Sequence, residues 1–409
     1  MFLILSLSMI VKKTNFAGVI MILIPAIFMQ KKWELFHSLP SDAKKVALAI
    51  SMLAICWGID DIFSNNATAI LDKPLKLLMI WPCMIYLYEN PPRKNWLWLG
   101  AATGAILTAI MGVIHVFVFH YERAGGTYIH PIEFGDTSAI LTVFSICAAF
   151  QFSKKKSRGF MFFSLIGSIA GTIASLLSGT RGAWLACAIT LFIIAFVFSH
   201  RIEFLKERKK IIPVFFLLLL IATNVINIPI INSRINTARH EIDSYTHNNN
   251  SNTSVGARIE MWKFSWLLFK ERPLTGWGQS GYDEERLIQI SEKKISDSIE
   301  QYNHPHNDYL NGLSKEGIIG LISILICHIS FFLYFFRRIH SYSSPDDIAV
   351  ACAGLSLPLL FACFGLTDTH ITSNRTIVMY FYLGIFLMSM LPKKEFLEEK
   401  IPNARPSHQ

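Results

Sequence analysis

The sequence predicts an all-α, polytopic integral membrane protein, and three observations lead to this fold class. Of the 409 residues, 52% are apolar and only 16% are charged, whereas a soluble chain is about one quarter charged. The apolar residues form blocks of about 17–25 residues, the length that crosses a bilayer core of roughly 30 Å as a helix. These blocks recur along almost the whole chain, which excludes a soluble enzyme and a single-pass anchor.

The apolar blocks predict eleven spans and divide the chain into four parts. The spans are expected at 14–30, 44–63, 73–88, 95–120, 134–152, 159–178, 182–199, 211–231, 316–336, 348–366 and 376–391. A short apolar stretch at 2–11 makes a twelfth span, so we expect about twelve transmembrane helices. The predicted parts are the N-terminal helices (1–231), a large polar loop (232–315), the C-terminal helices (316–391) and a tail (392–409).

The basic residues predict the orientation of these spans. The net charge is +9, and Lys and Arg gather in alternate loops. The basic clusters lie at 31–45, 93–94, 154–158, 201–210, 337–338 and 393–405. Because basic loops stay in the cytoplasm, the loop at 232–315 is expected on the outer face. The same pattern explains the net positive charge, so this charge does not indicate a nucleic-acid-binding protein.

The loop at 232–315 is too long to be a mere connector, because loops of this length usually carry function or are disordered. Its stretch 256–271 places Ile259, Trp262, Trp266 and Phe269 at helical spacing. Such an aromatic helix is expected to lie on the membrane surface. A turn is expected at 273–278, and a charged helix at 283–300.

The sequence HPHNDYL at 304–310 is the sharpest chemical signal. Its plainest interpretation is a helix N-terminus with Asn307 or Asp308 as the N-cap residue. His304 and His306 could also bind a metal, but no third ligand at suitable spacing is evident. A third interpretation is a general base, because histidine accepts a proton near neutral pH.

Two arginines are the next candidates. Arg181 lies in SGTRGAW at 178–184, a short outer turn, and Arg258 lies at the start of the aromatic helix. Each has a plain interpretation, as an interfacial arginine or as part of a solvated helix face. Each could instead bind phosphate, because the guanidinium group forms bidentate, charge-assisted hydrogen bonds with phosphate oxygens. Weaker candidates are Asp368, His370 and Arg375, which share a short outer loop.

These motifs, taken in order, resemble the O-antigen ligase/polymerase superfamily. The set comprises GTRGA at 179–183, Gly256-x-Arg258 before Met261–Trp262, PLTGWG at 273–278, and His306–Asn307 followed by GIIG at 317–320. The resemblance covers nearly the whole chain and is greatest to lipopolysaccharide O-antigen ligases. The stretch 279–303 shows no recognisable pattern.

The resemblance implies a fold like that of the GT-C glycosyltransferases and a glycosyl transfer between two lipids. The donor would be an O-antigen glycan on undecaprenyl pyrophosphate, and the acceptor a sugar hydroxyl of lipid A–core. Transfer would occur on the periplasmic face of a Gram-negative inner membrane. His306 would be the general base, Arg181 and Arg258 would bind pyrophosphate, and His304, Asn307, Asp368, His370 and Arg375 are secondary candidates. No metal and no cofactor is expected.

Three alternative functions remain open. An O-antigen polymerase or a protein O-oligosaccharyltransferase of the same superfamily would share the donor chemistry. A transporter of lipid-linked glycans would need ionisable residues at mid-membrane on several helices. Apart from Lys76 and a few histidines such as His115 and His328, the predicted spans lack them.

Overall fold

The computed structural model describes residues 2–7, 14–30, 32–63, 71–126, 129–198 and 229–392, and every regular element in these ranges is helical. The predicted all-α class is therefore confirmed. Five helices are long and apolar enough to span a membrane: Lys94–Val118, Pro131–Lys154, Arg158–Leu177, Asp308–Ser341 and Pro345–Phe364. The described part of the chain is a polytopic helical membrane protein.

The helices before the outer loop follow the predicted blocks. They are α1 (Phe2–Ser6), α2 (Thr14–Phe28), α3 (Lys32–Ser38), α4 (Ser41–Phe63), α5 (Asp72–Leu78), α6 (Ile80–Glu89), α7 (Lys94–Val113, continued by a π-helix to Val118), α8 (Pro131–Lys154), α9 (Arg158–Leu177) and α10 (Arg181–Phe198). The block at 73–88 is divided between α5 and α6. Pro82 has no backbone N–H to bond the carbonyl of Leu78, which interrupts the helix there.

The outer loop and the C-terminal part are also helical. They contain α11 (Pro229–Asn248), α12 (Ser254–Glu271), α13 (Gly278–Ser291), a 3₁₀ turn (Asp297–Ile299), α14 (Asp308–Ser341), α15 (Pro345–Phe364), α16 (Asn374–Ile377), a π-helix (Val378–Tyr382) and α17 (Leu383–Ser389). The predicted span 211–231 lies almost wholly outside the described residues. The described residues also exclude 8–11 of the short N-terminal stretch and the tail from 393.

The outer loop has a small core of its own, and its structure corrects one expectation. Its core joins one face of α12 to α13 and the 3₁₀ turn: Ala257, Met261, Phe264, Leu268, Tyr282 and Ile299. The aromatic face with Trp262 and Trp266 is the exposed one. The charged helix predicted at 283–300 ends at Ser291 instead. Lys293 adopts a left-handed conformation (φ 57°) and the N–H of Lys294 bonds the carbonyl of Gln289, a Schellman ending.

Helix α14 is central to the bundle and packs against both α4 and α15. It begins at Asp308, earlier than the predicted span at 316, and it breaks at Gly317, which has φ 68° and ψ −157°. A Cβ at this position would lie 2.5 Å from the backbone carbonyl of Leu274, so only glycine fits. The break lets the N–H of Ile318 donate to Pro273 O at 2.8 Å. The turn at 273–278 is thereby joined to the entrance of α14.

Candidate active site

The candidate site is built where the outer loop re-enters the bundle. His306 Nδ1 lies 2.5 Å from Asp368 Oδ1, and both side chains are largely buried, with 17% and 11% exposure. Asp368 comes from the loop at 365–373, between α15 and α16. The structure therefore joins one of the secondary candidates directly to the principal one.

The segment carrying His306 is fixed on both sides. Trp262 Nε1 of α12 donates to Pro305 O at 3.0 Å. On the other side, the N–H of Asn307 donates to Thr369 Oγ1 at 3.1 Å. Between these anchors His306 adopts φ 49°, in the left-handed region that non-glycine residues rarely occupy. Such strained positions cluster at functional sites, where the surroundings hold them.

Asn307 is the N-cap residue of α14, as the plain interpretation of the motif predicted. Its Oδ1 accepts hydrogen bonds from the N–H groups of Tyr309 and Leu310, both at 3.0 Å. Its Nδ2 donates to Leu366 O at 3.1 Å. Asn307 therefore both starts the helix and ties it to the loop that carries Asp368.

The electrostatics of the pair define the imidazole tautomer. Burial alone would raise the pKa of the Asp368 carboxyl, but the hydrogen bond with His306 and the charge of His370 prevail and hold that pKa below its usual range. An ionised carboxylate only accepts hydrogen bonds, so Nδ1 of His306 carries the proton. Its Nε2 then has a free lone pair and can accept a proton from a substrate, as in hydrolases with a His–Asp pair.

His304 packs against His306, and the two ring centroids are 4.5 Å apart. Burial is the main cause that lowers the pKa of His304 to about 4, so it stays neutral. Its Nδ1 accepts a long hydrogen bond, 3.4 Å, from the backbone N–H of His306. His304 thus supports the turn that holds His306.

The site also contains three side chains of the types that bind metal ions. His304, His306 and Asp368 offer ligand atoms that all lie within 4.8 Å of one another. The third ligand that the sequence spacing did not reveal is therefore Asp368, from a distant loop. All three groups already have hydrogen-bond partners, because Asp368 Oδ1 bonds His306 Nδ1 and His304 Nδ1 accepts the backbone N–H of His306.

The turn that carries Arg181 packs against the Asp368 loop. Arg181 begins α10, and a Cβ on the next residue, Gly182, would lie 2.4 Å from Thr367 Oγ1. Glycine at 182 therefore lets the two segments touch. The turn is held rigidly, since Arg123 Nε donates to Ser178 O at 2.7 Å. The partly buried Arg181 thus belongs to a turn that contacts the loop carrying Asp368.

Arg258 approaches the same region from α12. It lies one helical turn before Trp262, whose indole bonds the carbonyl of Pro305. Residues four apart in a helix share a face, so Arg258 and this anchor are on the same side of α12. Within the described ranges the partly buried Arg258 side chain makes no ion pair.

His370 and Arg375 anchor the loop instead of facing the His306 pair. His370 Nε2 lies 3.0 Å from Asp136 Oδ2, and Arg375 donates to Glu133 at 2.6 Å. Glu133 and Asp136 are three residues apart near the start of α8, so one helix face binds both. The nearby carboxylates, foremost Asp136, outweigh burial and raise the pKa of His370 to about 9.

Sequence reasoning missed these two acidic partners and one histidine. Glu133 and Asp136 lie at the edge of a predicted span, and a buried carboxylate in such a place is a signal for a specific partner. His130 precedes them and is close enough for the charge of Asp368 to act on it, although burial is the main cause of its lowered pKa.

An apolar groove of about 830 Å³ runs beside the site. Its walls are the Leu48–Ile59 side of α4, the turn at 273–281 and the start of α14. Its lining also includes the charged residues Asp60, Arg272, Lys315 and Glu316. A groove with an apolar wall along a membrane helix and charged residues beside it suits an amphiphile.

Comparison with known proteins identifies the region that contains the two arginines and His306. Residues 166–325 match a protein-family model described as O-antigen ligase. An O-antigen ligase of Escherichia coli K12 is 30% identical over 189 residues, which cover 45% of this chain and 43% of that protein. Residues 166–325 therefore belong to the O-antigen ligase superfamily.

A second relative extends the similarity beyond the matched region. An uncharacterized protein of Haemophilus influenzae is 28% identical over 342 residues, which cover 83% of this chain and 84% of that protein. The superfamily resemblance stated from the motifs is confirmed for residues 166–325. Arg181, Arg258, His304, His306 and Asn307 lie within the part that matches the O-antigen ligase model, whereas Asp368, His370 and Arg375 lie after it.

Proposed function

We propose that the protein is an O-antigen ligase. It transfers a glycan from undecaprenyl pyrophosphate to a sugar hydroxyl of lipid A–core, on the periplasmic face of a Gram-negative inner membrane. The observation that carries this proposal is the contact between His306 and Asp368, beside the Arg181 turn and the Arg258 helix. Superfamily membership supports the reaction class.

His306 acts as the general base in this proposal. Its Nε2 takes the proton of the acceptor hydroxyl while that oxygen attacks the anomeric carbon of the donor sugar. The bond from that carbon to the pyrophosphate oxygen breaks, and the electron pair leaves with pyrophosphate. A single displacement inverts the anomeric centre. Asp368 orients the ring and stabilises the imidazolium that forms.

Arg181 and Arg258 bind the leaving pyrophosphate. Negative charge grows on the leaving oxygen as the glycosidic bond breaks, so positive charge aimed at it stabilises the transition state more than the ground state. Arginine is suited to this because its guanidinium group binds two phosphate oxygens at once. The apolar groove beside the site suits a lipid-linked substrate that stays in the bilayer.

The proposal needs no metal and no cofactor. The hydrogen bond between His306 and Asp368 uses ligand atoms that a metal at the His304, His306 and Asp368 group would need. The same bond gives His306 the tautomer required of a base. The geometry therefore favours a base supported by a carboxylate, and a chelator distinguishes the two cases.

The second candidate function is an O-antigen polymerase, or a protein O-oligosaccharyltransferase, with the same donor chemistry. Deletion of the gene separates these functions. Loss of a ligase leaves bare lipid A–core with glycan polymer stranded on the lipid carrier. Loss of a polymerase leaves core that carries a single repeat, and loss of a protein glycosyltransferase leaves lipopolysaccharide unchanged.

Transport is not favoured by the ionisable residues inside the helices. His328 Nδ1 lies 2.7 Å from the Tyr380 hydroxyl, and His115 Nδ1 accepts the N–H of Gly125 at 3.1 Å. Lys76 donates to Asn374 Oδ1 at 2.8 Å. These side chains join neighbouring elements, which is a packing role and not a path for ions.

A further inference from the structure

A second, polar cavity adjoins the His306 site. It has a volume of about 150 Å³ and lies between the end of α4, the loop before α14 and the first turns of α14. His304 forms part of its wall, and the His304 ring packs on the His306 ring with 4.5 Å between centroids. A molecule in this cavity would therefore be adjacent to the proposed base.

Two buried polar atoms of the cavity wall lack partners. Asn311 is 4% exposed and Glu316 is 9% exposed. Both line the cavity, and among the described residues neither Asn311 Oδ1 nor Glu316 Oε2 has a hydrogen-bond partner. A buried acceptor without a donor costs free energy. These acceptors are suited to a ligand that brings hydroxyl or N–H donors.

The charges of the cavity argue against a phosphate there. Asp60, Asp61 and Glu316 contribute carboxylates, while the amines are Lys73 and Lys315. Lys315 already donates to Gln279 Oε1 at 2.6 Å and to Asn303 O at 3.0 Å. The three carboxylates outnumber the two amines, which disfavours an anion in the cavity, and neither of the proposed pyrophosphate arginines lines it.

The remaining features match a sugar ring. Trp57 contributes an aromatic wall, against which the apolar C–H face of a sugar can pack. The acceptor atoms of Asn311 and Glu316 suit the hydroxyl groups at a sugar's edge. The volume corresponds to about five water molecules at roughly 30 Å³ each, which is the scale of one ring and not of a longer glycan.

We propose that this cavity holds the terminal sugar of the acceptor glycan, with the reacting hydroxyl directed toward His306. The inference rests on the proposed function, since it assigns the acceptor side of that reaction. It also separates the two substrates in space. The donor pyrophosphate lies at the arginines, and the acceptor ring lies beyond His304, so that His306 stands between them.

Binding and transfer by the full-length protein in nanodiscs test this assignment. The probe for binding is delipidated core oligosaccharide, measured by calorimetry with and without its terminal sugar. Wild type should bind the complete oligosaccharide about 10-fold more tightly, because the truncated one leaves buried acceptors without donors. Asn311→Leu, which keeps the volume and removes the amide, should bind both forms equally weakly.

Two further variants separate a binding defect from misfolding. Asn303→Ala changes an exposed cavity residue and should raise the KM for acceptor by about 3–10-fold, the effect of one hydrogen bond, with the donor KM unchanged. Gln301→Ala, an exposed amide two residues earlier that does not line this cavity, is the matched control and should leave both constants unchanged.

The outcomes are distinguishable. An Asn311→Leu or Asn303→Ala variant that raises the donor KM instead would overturn the assignment and give the cavity to the donor sugar. Equal binding of the complete and truncated oligosaccharide by wild type would also overturn it. Wild type that binds the oligosaccharide selectively but transfers no glycan would contradict the proposed function while leaving the cavity assignment in place.

Discussion

His306 and Asp368 are 62 residues apart in the chain, yet their side chains meet at 2.5 Å. The contact joins the end of the outer loop to a short turn between two helices near the C-terminus. It gives the imidazole a fixed tautomer and orientation, which a solvent-exposed histidine at a helix N-terminus would lack. The predicted chemistry of the site depends on this contact.

Asp368→Asn should lower kcat by about 10²-fold or more, within the range of general-base catalysis. The amide keeps the size of the side chain but can donate to His306 Nδ1, which leaves the proton on the wrong nitrogen. The KM for the donor should change little, because Asp368 does not bind pyrophosphate in this account. Steady-state kinetics of purified protein measure both constants, and an unchanged kcat would reduce Asp368 to a structural role.

Arg181→Ala and Arg258→Ala should each lower transfer by about 10²–10³-fold, as loss of a donor to a developing anion does. Lysine should restore only part of the activity, because it lacks the bidentate geometry. Arg239→Ala, which changes an exposed arginine of the same outer segment, is the matched control. If either alanine variant transfers as fast as this control, that arginine is only part of the membrane interface or of a solvated face.

The His370–Asp136 ion pair should make stability fall at alkaline pH. The pKa of His370 is raised from an ordinary value of about 6.5 to about 9. Its contribution is therefore complete below about pH 6.5 and is lost as the pH rises through about 9. In detergent, the unfolding temperature of wild type should be lower at pH 9.5 than at pH 6.5, and the decrease should be smaller for His370→Gln. Equal decreases for the two proteins would show that this ion pair does not cause the loss of stability at alkaline pH.

The charge pattern predicts which loops face the periplasm. An alkaline phosphatase fusion at Asn249 should be active, because this orientation places the outer loop in the periplasm, whereas fusions at Lys155 and Lys209 should be inactive. An active fusion at Lys209 would reverse the orientation and put the His306 site in the cytoplasm, where the proposed periplasmic reaction could not occur.

Local features of the fold were predictable from the sequence. Apolar blocks predicted α8, α9 and α15 within a few residues, and the motif at 304–310 predicted a helix cap at Asn307 or Asp308, which is Asn307 in the structure. Both depend on neighbours in the chain, as side-chain periodicity and capping chemistry do. The break of α14 at Gly317 was not predicted, because it depends on the close approach of Leu274 from another turn.

The partners within the site were not predictable in the same way. Asp368, His370 and Arg375 were grouped as one weak cluster, yet the structure divides their roles. Asp368 contacts His306, while the other two bind carboxylates of α8. Such a division depends on which helices pack together, and one sequence without its three-dimensional contacts does not contain that information. The resemblance to a superfamily supplied the roles of individual residues, but not these contacts.

The most direct test of the account is transfer by purified protein from lipid-linked glycan to rough lipopolysaccharide, with wild type, His306→Ala and His304→Ala compared in the presence and absence of EDTA. We expect His306→Ala to lower the rate of transfer by about 10²-fold or more. His304→Ala should lower it less, because the His304 side chain only supports the turn, and EDTA should have no effect. Substantial transfer by His306→Ala would contradict the assignment of the base. Inhibition by EDTA that a divalent metal reverses would instead make His304, His306 and Asp368 metal ligands.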